Sequence, residues 1–183
     1  MRRAESTAAT RQAIIAAARE MLAGTDWRRF TLEAVAARAG VTRMTVYNQM
    51  GAKYGLLDAV LTDLTASGGM DSLLTAARDL PAPEAFAFAV RRTCRFWHAE
   101  RAVLRPLFGL AAIDTEIAAN LGRREGYRAA QFARLTGRTP GDPALTGIVA
   151  VTSFPLYDGL GALADHPEPA ADLVLRMART LLD

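Results

Sequence analysis

Apolar side chains return every three or four residues along almost the whole chain, and nowhere alternate with polar ones over a run. That periodicity predicts helices and no strand. A first helix is expected from about Thr10, with Ile14, Ala17, Ala18, Met21 and Leu22 on one face and Gly24 at its end. A loop through Asp26 and Trp27 follows. Between Leu32 and Gly51 the pattern shortens: Leu32, Val35, Ala36 and Ala39 make one narrow apolar face, and Val41 and Val46 turn back to the core. Two short helices joined by a tight turn fit this stretch. Gly40 stands where a helix C-cap needs a left-handed backbone, and Thr31 and Thr42 stand where N-caps are required. A fourth helix is expected from about Ala52 on Leu56, Leu57, Val60, Leu61 and Leu64, until Ser67, Gly68 and Gly69 interrupt it.

Downstream the pattern predicts a short helix at 71–78, then one from Glu84 to Glu100 with an aromatic stripe, and a separate apolar helix at 102–112 disturbed by Pro106. Asp114 is expected to cap a long helix ending near Leu135. An apolar helix at 143–163 should kink at Pro155, and a last one should run from about Glu168 to Leu182, with Leu181 in its apolar stripe. The expected fold is all-α, with about nine helices. Residues 1–9, which include Arg2 and Arg3, are expected to form a mobile arm, and His98 and Glu100 to lie on a solvated helix end.

Counted from Leu32, the fifth residue is Ala36, the ninth Gly40 and the fifteenth Val46. Small, flexible and apolar side chains at these points let a second helix stand proud, as a helix-turn-helix requires. Its outer side would carry Arg43, Met44, Thr45, Tyr47, Asn48 and Gln49, with no acid between Val41 and Lys53. The competing reading is a helical hairpin buried in an all-α core.

Charge changes that balance. The net charge of +3 conceals nine basic against four acidic residues in 1–53, and thirteen against fifteen in 54–183. The basic excess lies with the two-helix motif, where a polyanion would bind. The remaining composition sets bounds. At 51% hydrophobic the chain can bury a core. No apolar run approaches the ~18 residues of a membrane span. Arg2 and Arg3 are not followed by an apolar stretch, so no secretory signal is expected. A single cysteine, Cys94, leaves no internal disulfide and fits a reducing cytoplasm. Cys94 and His98 are four apart, but His166 is remote and no other cysteine exists, so no metal site is expected. No nucleophile motif or glycine-rich phosphate loop is present, so neither catalysis nor a cofactor is expected.

At this point the chain resembles the TetR family of transcriptional regulators. The resemblance rests on Ile14, Ala17, Ala18, Leu22, Gly24 and Thr31, on Val35-Ala36, Ala39-Gly40-Val41-Thr42 and Thr45-Val46-Tyr47, and on Lys53 with Leu56-Leu57. It covers residues 10–61, with a weaker echo around Thr152-Ser153-Phe154 and Tyr157-Asp158. It departs from the family at Met50, where an aromatic residue is usual, and at Gln49, where histidine is frequent. The resemblance implies a three-helix DNA-binding head at 1–53, a linking helix from about 52, and a helical regulatory body at 54–183. The body would bind a small, mainly apolar effector and form a homodimer through the last two helices. It further implies that Arg43, Met44, Thr45 and Asn48 touch base edges, and that Tyr47, Gln49, Thr31 and Lys53 touch phosphate, with Thr42 opening the recognition helix. Chemistry agrees: a guanidinium reads guanine, while a phenol and an ammonium fix register on the backbone. The implied function is a cytoplasmic homodimeric repressor released from an inverted-repeat operator. The alternatives are a helical binding or enzyme-like bundle with a structural helix-turn-helix, and a DNA binder with no effector.

Candidate effector-pocket residues are the body's aromatics, Phe86, Phe96, Trp97, Phe108, Phe132, Phe154 and Tyr157, with Val90, Thr93, Cys94 and Asp158. Each aromatic also suits plain core. A buried Asp158 near the aromatics would favour a cationic or hydrogen-bond-donating effector, an exposed one a plain lipophilic pocket.

Overall fold

The computed structural model describes residues 2–24 and 27–182, in which ten α-helices and two 3-10 turns are joined with no strand. Helix α1 (Arg2–Ala23) begins at the start of the described chain, not at Thr10. The expected arm is therefore helical from Arg2; Met1 lies outside the described residues. The reason is local: RRAESTAA contains no glycine or proline and three alanines, the best helix formers. Part of the loop expected after α1, Thr25 and Asp26, also lies outside the described residues, and a 3-10 turn at Trp27–Arg29 follows it.

Helix α2 (Leu32–Ala39) packs on α1 and helix α3 (Arg43–Met50) on α2, and Val35, Ala36, Val46 and Met50 join Ile14, Ala18 and Phe30 in one buried core. Helix α4 (Lys53–Ser67) buries Leu56, Leu57, Val60, Leu61 and Leu64, and packs against α1, α3 and α7 (Thr115–Thr136). A one-turn helix α5 (Leu73–Ala76) leads to α6 (Ala82–Leu110), the spine of the body, which touches α1, α7, α9 (Phe154–Gly159) and α10 (Pro167–Arg179).

Two expected breaks fall elsewhere. The helices expected at 84–100 and 102–112 are one, running through Pro106. An interior proline costs about 3 kcal/mol, but Val103, Leu104 and Leu107 around it are buried and hold the helix together. Conversely, the segment 143–163 is not one kinked helix. It divides into α8 (Pro143–Val151), α9 and a 3-10 turn at Gly161–Asp165. Ser153 caps α9 by accepting from the Leu156 amide, and Pro155 sits in its first turn, where the missing N–H costs nothing. The last helix stops at Arg179, so Leu181 lies beyond it, packed over Gly147 of α8.

His98 and Glu100 are not on a solvated end. Both lie within α6, where Glu100 is buried against Arg19 of α1 at 2.6 and 2.7 Å. His98 Nδ1 lies 3.0 Å from the Ala164 carbonyl, to which its N–H donates.

Candidate nucleic-acid interface and effector cavity

The turn between α2 and α3 is built as the sequence requires. Gly40 has φ +67°, and the Val41 amide returns to the Ala36 carbonyl at 3.0 Å. Thr31 caps α2 through the Ala34 amide and Thr42 caps α3 through the Thr45 amide, both at 3.1 Å. The two threonine hydroxyls at 42 and 45 also share a hydrogen bond of 2.9 Å.

Helix α3 is sharply two-sided. Val46 and Met50 are buried, whereas Met44 is 63% and Tyr47 53% exposed, with Arg43 and Asn48 exposed beside them. Thr45 and Gln49 lie half-buried on its flanks. Large exposed apolar groups on a short helix are costly in water unless the face meets a partner. Arg43 forms an ion pair with Glu33 of α2, but both side chains are more than 60% exposed, so the pair is easily exchanged.

Lys53 opens α4 with its ammonium 3.8 Å from the Trp27 ring centroid, and Trp27 in turn stacks on Phe30. Partial burial lowers its pKa, against the pull of Asp114.

Sequence reasoning missed three supports of this surface. Arg11 of α1 donates to the Gln49 carbonyl at 2.8 Å and to Met50 Sδ at 3.1 Å, so the thioether standing in place of an aromatic has a polar partner. Trp27 holds Lys53. Gly55 lets the Met50 carbonyl of α3 lie against α4, since a Cβ there would collide with that oxygen. A lone glycine inside a helical pattern was the only visible signal.

In the body, a cavity of about 320 Å³ opens between α4, α6 and α7. Its apolar wall is Leu61, Met70, Phe96, Trp97, Leu104, Phe108 and Leu121. Its polar rim comes from α4 and α7: Asp58 accepts from Asn120 at 2.7 Å and from Arg124 at 3.0 Å, and Arg124 also donates to Thr62. Deeper in, Arg128 is buried, paired with Glu125 and donating to Thr152 Oγ1 at 2.5 Å. Gln131 donates to the Met70 carbonyl.

Of the candidate pocket residues, Phe96, Trp97 and Phe108 line this cavity. Phe86, Val90, Thr93, Cys94, Phe132, Phe154 and Tyr157 sit in the buried core and do not line it. Asp158 is half-buried and bound by Arg101 and Arg105, which lower its carboxyl pKa. The polar residues of α7 escaped notice because arginine and asparagine on a helix ordinarily face water.

The N-terminal helices thus carry a helix-turn-helix, and the helices that follow form a bundle with an internal cavity. Residues 14–60 match the family described as bacterial regulatory proteins, tetR family. Over 51 residues the chain is 41% identical to the HTH-type transcriptional regulator AlkX of Mycobacterium tuberculosis (strain ATCC 25618 / H37Rv). That match spans 28% of this chain and 24% of AlkX. Among solved structures, similar folds occur in a protein described as a TetR-family transcriptional regulator from Rhodococcus sp. (TM-score 0.72, 16% identity, 95% of this chain and 99% of that one). GusR of Salmonella enterica is similar too (TM-score 0.69, 18% identity, 94% and 95%). At such identities these structures speak for the fold alone. Residues 14–60 thus carry a tetR-family head sequence, and the fold as a whole is similar to that of TetR-family regulators.

Proposed function

We propose that this chain is a homodimeric cytoplasmic repressor that binds an inverted-repeat operator through α3 and leaves it when a small, mainly apolar effector enters the α4–α6–α7 cavity. The observation that carries DNA binding is the two-sidedness of α3. Its capped N-terminus and its exposed Arg43, Met44, Tyr47 and Asn48 stand clear of a core that holds Val46 and Met50. In the family's manner, Arg43, Met44, Thr45 and Asn48 read bases. Tyr47, Gln49, Thr31 and Lys53 hold phosphate, and Thr42 orients the first turn.

Residues 1–53 act as the head and 54–183 as the body. Helix α4 joins them: Asp63 accepts from Gln12 of α1 at 2.9 Å, while Asp58 holds Arg124 and Asn120 of α7. An effector between α4 and α7 therefore presses on the element that carries the head. The shift it causes is limited by its differential affinity for the two head spacings. Leu61, Phe96, Trp97, Phe108 and Leu121 support an apolar effector body. Dimerisation uses α8 and α10, where Val149, Leu173 and Met177 are left half-exposed.

In vitro selection of purified protein against random duplex DNA, repeated with Arg43→Ala and Lys53→Ala, tests this reading. The wild type should recover an inverted repeat. Arg43→Ala should relax one position per half-site, and Lys53→Ala should weaken all sequences alike and flatten the salt dependence. Recovery of no motif would refute sequence-specific binding.

A further inference from the structure

We propose that the groove between α1, the C-terminal end of α4 and α6 is a second ligand site, which takes a small organic carboxylate carried on an apolar body. This groove encloses about 510 Å³ and is separate from the α4–α6–α7 cavity, with Phe96 the one side chain common to both walls. Arg19, Arg92 and Arg95 line it with a single carboxylate, Glu100. Glu100 is taken by Arg19, and Arg95 is taken by Glu168 at 2.7 and 3.2 Å. Arg92 has no ion pair among the described residues, and its Nε is enclosed without an acceptor. Buried polar atoms are nearly always satisfied, so this one shows that the chain leaves the hydrogen-bonding capacity of the Arg92 guanidinium unfilled.

Arg92 is also held in place. Its guanidinium lies over Gly69, where φ is +67° and any Cβ would collide with it, and 6.0 Å from the Phe88 ring. A fixed planar fork with its charge uncompensated matches a carboxylate, which accepts two parallel N–H bonds. Phe88 and Phe96 on the same walls supply the apolar contact that a bare inorganic anion would not use. The groove lies on the seam of α1 and α6, so its occupant touches head and body together.

Calorimetric titration of the full chain with benzoate tests the proposal, with benzamide as the neutral isostere and inorganic phosphate as the plain anion. Benzoate should bind saturably at one per chain and benzamide should not. Arg92→Met should weaken benzoate at least tenfold, and Arg92→Lys should restore part of the loss. Arg92 is half-exposed on a helix, and Arg92→Gln gives the same reading should the Met variant fail to fold. Leu121→Trp, which fills the other cavity, should leave benzoate binding unchanged. Equal binding by wild type and Arg92→Met, or loss in Leu121→Trp alone, would overturn the assignment. So would phosphate competing as well as benzoate, or an absence of saturable binding.

Discussion

The phenol of Tyr54, the second residue of α4, donates a 2.9 Å hydrogen bond to Oδ2 of Asp114, the N-cap of α7. Oδ1 of the same carboxylate accepts the Glu116 and Ile117 amides, each at 3.1 Å. One side chain thus starts the helix that walls the cavity and grips the helix that follows the head. The Ile117 amide, opposed by desolvation and helped by the Tyr54 hydroxyl and the Glu116 amide, holds the Asp114 carboxyl below the ordinary carboxylate range.

A depressed folded pKa means that Asp114 stabilises the fold above its unfolded pKa of about 4. That contribution disappears as pH falls through the folded value. Asp114→Ala should therefore lower the thermal midpoint at pH 7 and converge with the wild type in acid, once the folded carboxyl is protonated. Circular dichroism melts from pH 7 to pH 2.5 read both ends. A gap that persists in acid would mean the loss comes from something other than the carboxylate.

Gly55 faces the Met50 carbonyl at the α3–α4 contact, with no room for a Cβ. Its backbone is ordinary helix, so the objection to alanine there is contact, not conformation. Gly55→Ala should cost about 1–3 kcal/mol as overpacking does, despite alanine's better helix propensity. Urea titration of the two proteins would show it. Unchanged stability would mean that α3 moves aside freely, and operator affinity should then fall instead.

Local chemistry made the head legible. Gly40, Thr31 and Thr42 act within four residues of themselves, so a turn, two caps and an outward face could be read from spacing. The body resisted because its decisions are long-range. Whether Pro106 ends a helix depends on what Val103 and Leu107 meet, and whether Pro155 kinks or starts one depends on Ser153 capping. Glu100 looked solvent-facing because its partner, Arg19, is 81 residues away. The cavity wall was half visible: aromatics of α6 stood out, while Asn120, Arg124 and Gln131 of α7 did not, since nothing in their sequence says which helix will cover them.

Glu100 gives a pH test of that buried contact. Burial raises its pKa despite the attraction of Arg19. A raised folded pKa gives a contribution present below the unfolded value and lost as pH climbs through the folded one. Arg19→Met removes the attraction, raises the pKa further, and leaves a buried charge alone at neutral pH. The loss should be about 1–3 kcal/mol at pH 7, toward the lower end because the Arg19 side chain is 37% exposed. At pH 4 it should shrink. A loss independent of pH would assign the role of Arg19 to packing.

Cys94 is fully buried in α6, and burial pushes its thiol up to about 12. At pH 8 only about one thiol in ten thousand is then ionised, and reagents need the thiolate. The native protein should resist iodoacetamide for hours at pH 8, while the urea-unfolded chain should take one equivalent. Mass spectrometry of timed samples distinguishes them. Prompt native labelling would show that this part of α6 opens readily.

The proposed dimer surface can be separated from the fold by choosing between two leucines. Leu181 follows the end of α10 and packs over Gly147 of its own chain, where even a Cβ would lie 2.9 Å from Leu181 Cδ1. Leu181→Glu should therefore destabilise the protomer itself. Leu173 is half-exposed, away from the face of α10 that buries Ala170, Ala171, Val174, Leu175 and Ala178. Leu173→Glu should leave the melting of the protomer nearly unchanged and shift sedimentation from dimer to monomer, with operator affinity lost because one head cannot span two half-sites. A Leu173→Glu protein that sediments as a dimer would remove α10 from the interface.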